Sequence, residues 1–291
     1  MIKSVLNTIV FLLISTYVFA QQKQNTEFKF HLNHIDIAVD SVTLHSLMNN
    51  KFISDTFSST KLFRDSTGTD ILVRGQEHWL HFLPDKGFYK NRLGAAVLVH
   101  ENFTWIEIDT IIKHLQLFTK DSLYNRPYTS GGENTDHITI YENLADSLSL
   151  LKFIPQLQNF RKSDYFSWGY TEADLANGIS QKRNMQDYVG KETSDKLFKS
   201  IESIKVTASR DELRRIPPLM RGYGYRKQGK KYLLYGSPTV VVTPLKKGHR
   251  RIAVYMKLTN PVPKRSIRLS DNALLIIKGS DAWFHYSVHY Q

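Results

Sequence analysis

From Asn33 to Val39 the residues Asn-His-Ile-Asp-Ile-Ala-Val alternate polar and apolar, the period-two pattern of a strand with one face in a core. Over 41–57 the apolar positions Val42, Leu44, Leu47, Met48, Phe52 and Ile53 change to helical spacing. Three short runs of strand character follow at 60–64, 70–74 and 78–83, and Pro84-Asp85-Lys86-Gly87 ends the last with turn residues. The order is β-α-β-β-β. It recurs near the other end: a strand at 202–208, a helix opened by the capping box Ser209 to Glu212 and stopped near Ile216 by Pro217-Pro218, then short strands at 222–226, 231–235 and 239–243. Both copies close by placing Pro and Lys after an apolar strand. Three further strands are predicted at 251–258, 267–277 and 282–290.

Between the copies the pattern predicts a strand at 94–100, a helix at 105–117, a loop at 128–136 and a strand at 137–141. Residues 142–200 read as mainly helical, broken by Pro155, Gly169, Gly178 and Gly190, an insertion placed to cover a pocket. The fold class is therefore α+β: paired β-α-β-β-β modules forming curled mixed sheets, with a mainly helical insertion. The corresponding division is 27–141, 142–200 and 201–291, after a leader at 1–20.

That leader has a basic start at Lys3, an apolar stretch from about Val5 to Val18, and Ala20 before Gln21-Gln22. This is the three-part pattern of a secretory signal peptide, and it predicts an exported protein, periplasmic or secreted, cleaved near Ala20. No other run of about 18 apolar residues occurs, so no integral membrane segment is expected. Export also removes intracellular nucleic acid from the expected partners.

Charge adds an asymmetry. The 291 residues carry 39 Lys+Arg against 27 Asp+Glu. Between Lys205 and Arg268 stand 17 basic residues and only two acidic ones, Asp211 and Glu212. Such a field suits an anionic glycan, an anionic surface or an acidic partner; it is also what the wet faces of antiparallel strands carry to discourage edge pairing. Cysteine is absent, which rules out thiolate nucleophiles, thiolate-bound zinc and iron–sulfur clusters and leaves His and carboxylate as metal ligands. No Gly-x-Ser-x-Gly elbow or His-Glu-x-x-His helix is present, and Gly131-Gly132 lacks the Lys of a phosphate loop.

The opening unit, with Leu32-Asn33-His34-Ile35-Asp36-Ile37-Ala38-Val39-Asp40, its helix and His78-Trp79-Leu80-His81-Phe82-Leu83-Pro84, resembles the vicinal oxygen chelate superfamily. That group includes glyoxalase I, extradiol dioxygenases and bleomycin and fosfomycin resistance proteins. Within it the chain looks most like a family of uncharacterised exported bacterial proteins. The resemblance implies sheets curled into a half-open cleft and a metal held from the first and fourth strands of each module. By position it implies His34 as the first-strand ligand and His81 at the fourth-strand site, where Glu is usual. In the second module those positions fall at Ser203 and Val241, or at Ala95 if the strand at 94–100 opens that module. None is a usual ligand, so two remain, below the three of a catalytic zinc site. Glu77, His100, Glu107 and His285 are open as a third.

Asp36 shares a strand face with His34, and Trp79 shares one with His81. Asp36, Arg74, Glu77, Trp79 and Arg92 are the candidate ligand contacts. Three functions follow as expectations. The first is an exported protein binding a small or glycan-like ligand in a cleft. The second is a metal-dependent lyase, isomerase or dioxygenase. The third is an envelope protein that meets anionic surfaces through its basic segment. One divalent metal ion is the only cofactor expected; the sequence leaves catalysis and oligomeric state open.

Overall fold

The computed structural model describes residues 28–65, 68–87, 90, 92–100, 106–120, 128–130, 133–135, 152–160, 162–246 and 249–289. The leader at 1–20 and the strand expected at 137–141 lie outside them.

Two six-stranded mixed sheets dominate. The first is built from β1 (Phe30–Val39), β2 (Ser59–Asp65), β3 (Gly68–Arg74), β4 (Trp79–Pro84), β5 (Gly94–His100) and β8 (Phe153–Leu157), in the order β2-β3-β4-β1-β5-β8. A small hairpin, β6 (Tyr128–Ser130) with β7 (Glu133–Thr135), stands apart. The second sheet takes β9 (Phe198–Ala208), β10 (Arg226–Gln228), β11 (Lys231–Leu233), β12 (Thr239–Pro244), β13 (His249–Arg268) and β14 (Ala273–His289), in the order β10-β11-β12-β9-β13-β14. In each sheet the first strand of a module lies parallel to its fourth, β1 with β4 and β9 with β12. The paired modules expected from the sequence are present.

Helix α1 (Ser41–Asn49) follows β1, and Asp40 caps it by accepting the Thr43 N–H at 2.8 Å. Helix α2 (Ile108–Gln116) follows β5. Helices α3 (Lys162–Ser167), α4 (Glu172–Asn177) and α5 (Gln181–Thr193) lie in the insertion, which also supplies β8 to the first sheet. Thr171 and Asp174 form a capping box for α4.

The helix of the second module, α6 (Glu212–Gly222), runs through Pro217 and Pro218 instead of ending at Ile216. Its start is fixed by the expected capping box: Ser209 N–H donates to Glu212 Oε2 at 2.7 Å and Glu212 N–H to Ser209 Oγ at 3.3 Å. Beyond the prolines, Leu219 and Met220 are buried alongside Ile216, and that burial offsets the backbone bonds the prolines remove.

The inner faces of the sheets share one core. Ile35, Ile37 and Val39 of β1 and their counterparts Ile204, Val206 and Ala208 of β9 all belong to it, and Phe82 meets Phe284 edge-on at 4.9 Å. The three strands expected at 251–290 are two long ones, because β13 and β14 pair as one hairpin, with register shifts on β13 between Lys257 and Arg265. Those bulges bend the hairpin into an arm. Its turn reaches the first module, where Ser270 Oγ lies 2.7 Å from Thr43 Oγ1 and Asn272 Nδ2 donates to Asp40 Oδ2 at 3.2 Å. Leu269 and Leu275 of the arm close over Leu47, Ile53 and Phe57.

Candidate metal centre

Pairing places His34 beside Trp79, and Asp36 beside His81, across β1 and β4. Side chains at paired positions share a face, so His34, Asp36, Trp79 and His81 project from the side of the first sheet opposite the shared core. Part of that outer face is packed by the insertion. Tyr165, Tyr170, Leu175 and Ile179 of the α3–α5 segment pack with Val99 of β5 in a second apolar cluster. His34 and Asp36 are only 5% and 4% exposed, while the His81 side chain is 21% exposed.

On this face the side chains converge. One ligand atom each from His34, Asp36 and His81 can be chosen so that all three lie within 4.8 Å of one another. Asp36 Oδ1 stands 3.3 Å from His34 Nε2 and 3.2 Å from His81 Nδ1. Each imidazole is fixed from its other nitrogen. His34 Nδ1 is 2.7 Å from Asn33 Oδ1, and His81 Nε2 is 2.9 Å from Asp70 Oδ2. Gln156 of β8 donates its Nε2–H to Asp36 Oδ2 at 3.3 Å. A neutral imidazole has one N–H. With those protons given to Asn33 and Asp70, both rings turn a lone pair toward Asp36 Oδ1, and a proton or a metal cation has to sit where they meet.

Electrostatics agrees with an excess of acceptors. Burial alone would raise the Asp36 carboxyl, but hydrogen bonds and charge from His34 and His81 hold it well below the carboxylate range. Burial works against a charged His81, yet Asp36 and Asp70 push it up to about 9. Burial lowers His34, with Asp36 offsetting part of the effect. Without a metal, the proton held at this site resides on His81.

Gly94 sets how closely the neighbouring strand approaches. It adopts φ +147°, and a Cβ there would stand 2.0 Å from the Asp36 carbonyl oxygen. A side chain at 94 would displace β5 from β1 beside the cluster.

The other sequence candidates divide. Trp79 belongs to the site, its ring 4.9 Å from that of His34. Arg74, paired with Trp79 across β3 and β4, is on the same face one strand further out. Glu77 stands at the seam between the sheets, where its N–H donates to the Lys199 carbonyl at 2.9 Å. Arg92 lies near Lys152, in the charged neighbourhood of Arg250 and Glu212. Among the described residues the metal-ligand group is His34, Asp36 and His81, and Glu77, His100, Glu107 and His285 are not part of it. Sequence reasoning had Asp36 on the right face but not as a ligand, and it missed Asn33, Asp70 and Gln156 altogether. Asp70 did carry a signal, a charge inside a strand run diagonal to His81.

In the second module, counting back from the equivalent strand ends Val39–Pro84 and Ala208–Pro244 superposes His34, Asp36 and His81 on Ser203, Lys205 and Val241. Lys205 is exposed and the others half-buried, so this face is a solvated sheet surface. Within the basic segment Arg250 turns inward to Glu212 at 2.6 Å.

The fold and cluster thus define a two-module α+β protein in which two histidines, one buried and one partly exposed, and a buried carboxylate are grouped as metal ligands could be. No family model matches the chain, and neither does any curated protein. Among solved structures, a mutant of 4-hydroxymandelate synthase from Streptomyces coelicolor is similar over 79% of this chain and 59% of that one, at 9% identity and a TM-score of 0.31. The chain thus spans about three-fifths of that enzyme's length, and a likeness so remote carries no argument about function. Among the described residues no helix is long and apolar enough to cross a membrane.

Proposed function

We propose that the protein binds one divalent metal ion through His34 Nε2, Asp36 Oδ1 and His81 Nδ1, and that it acts as a metal-dependent lyase, isomerase or dioxygenase of the vicinal oxygen chelate type. The observation that carries the reading is the convergence of two imidazole nitrogens on one buried carboxylate oxygen, at 3.3 and 3.2 Å. The donor set fits a divalent ion: two imidazoles and one carboxylate leave coordination positions open for substrate. Bound there, the ion would polarise an oxygen of the substrate as a Lewis acid. The chain's own residues do the rest. Asn33 and Asp70 hold the two rings in the metal-binding tautomer, and Gln156 orients the carboxylate.

Metal analysis of purified protein tests this directly. About one equivalent of ion is expected, absent from His34→Ala and Asp36→Asn variants that still fold. A full equivalent surviving in both variants would end the proposal. The leader supports a second element, export with cleavage after Ala20; the mature protein should begin at Gln21, and an intact Met1 in the periplasmic or secreted fraction would count against it.

A further inference from the structure

Next to the cluster, one cation is engaged in an unusual way. Arg74 is buried, at 5% exposure, on the same face as His34, with Trp79 between them in the row that runs from β3 to β1. At two strand spacings, Arg74 and His34 are on the order of 10 Å apart. Arg74 Nη2 donates to Ser59 Oγ at 2.8 Å and to Glu192 Oε2. Its Nε is buried and, among the described residues, meets no hydrogen-bond acceptor. A guanidinium recognises a carboxylate best through two parallel N–H bonds, and Glu192 takes only one.

Glu192 is poorly placed for a permanent partner. Its side chain is 61% exposed, and it sits in the last turn of α5, where the helix dipole disfavours an anion. A buried cation with an unused donor, met by an exposed carboxylate of the insertion, describes a subsite with a stand-in ligand.

We propose that Arg74 anchors the carboxylate of a small organic acid, whose body lies along Trp79 toward the His34–Asp36–His81 cluster, and that the ligand displaces Glu192. The direction of the ligand's far end rests on the metal reading; the Arg74 subsite does not.

The test titrates the full chain, metal-free and Co(II)-loaded, with benzoate, its neutral analogue benzamide, and inorganic phosphate. Glu192→Gln should tighten benzoate about tenfold, the effect expected for restoring a charge-assisted bond, and leave benzamide unchanged. Adding Arg74→Lys to that variant should abolish the gain without lowering its melting temperature by more than a few degrees. Absence of tightening, or equal tightening of benzamide, overturns the inference. Tightening of phosphate alone overturns the organic acid as ligand. Failure of Co(II) to bind while benzoate responds removes the metal reading and keeps the subsite; Co(II) binding with no benzoate response does the reverse.

Discussion

The outer faces of the two modules have the same strand pairing and opposite chemistry. On the first, His34, Asp36 and His81 converge, two of them buried; on the second, Ser203, Lys205 and Val241 stand on a solvated sheet. The inner faces have stayed alike, aliphatic at Ile35, Ile37 and Val39 and again at Ile204, Val206 and Ala208. The difference teaches that the shared core fixes one side of each repeated strand and leaves the other side free to specialise. A cluster of side chains able to ligate a metal can therefore come from the strands of one module alone.

The contrast can be broken at its buried carboxylates. Glu212 in the second module has a resident cation, Arg250, and also accepts the Lys152 N–H at 2.6 Å. Glu212→Gln should cost about 3–5 kcal/mol in denaturant unfolding, because it leaves Arg250 buried and unbalanced, while metal affinity of the folded fraction is unchanged. Asp36→Asn should do the opposite, losing metal with a smaller loss of stability.

The seam between the faces responds to pH. Buried His78 accepts the Ile201 N–H at 3.3 Å, and burial depresses its pKa to about 3, below the free imidazole value of 6.5. The unfolded chain then binds more protons between those values, so the stabilisation is complete above 6.5 and is lost as pH falls toward 3. Stability should fall by about 1.4 kcal/mol per pH unit inside that window, and His78→Gln should flatten the slope.

A finer test concerns support of the ligands. Asp70→Asn should weaken metal binding by about 10- to 100-fold, as expected when a histidine ligand loses its orienting carboxylate. Unchanged affinity by competition titration would mean that Asp70 does not hold the ring. The smallest effect is expected from grafting the site: Ser203→His with Lys205→Asp and Val241→His should add a second, weaker ion per chain. It would be weaker because, among the described residues, no counterpart of Asn33, Asp70 and Gln156 supports those positions.

Much of this was legible in the sequence. Alternation and helical spacing predicted both β-α-β-β-β units, and the resemblance pointed to His34 and His81. Period-two patterning names the face a residue occupies but not its neighbours on other strands. Asp36 shared the His34 face on any reading, yet its role needed the β1–β4 register. Gln156 reaches Asp36 from 120 positions away, a separation that no local pattern spans. The prolines of α6 misled for the converse reason, since burial of Leu219 and Met220 outweighed a local stop signal.

The curled β13–β14 arm bears on how the chain is completed during synthesis. Thr43 finds Ser270 only after 227 further residues have been made. At about 5–20 residues per second, the apolar inner side of the first module waits on the order of ten seconds or more for Leu269 and Leu275 to cover it. A nascent chain stalled before the arm would present that surface to chaperones even with every metal ligand already translated, which makes the last strands to be made a checkpoint for the first.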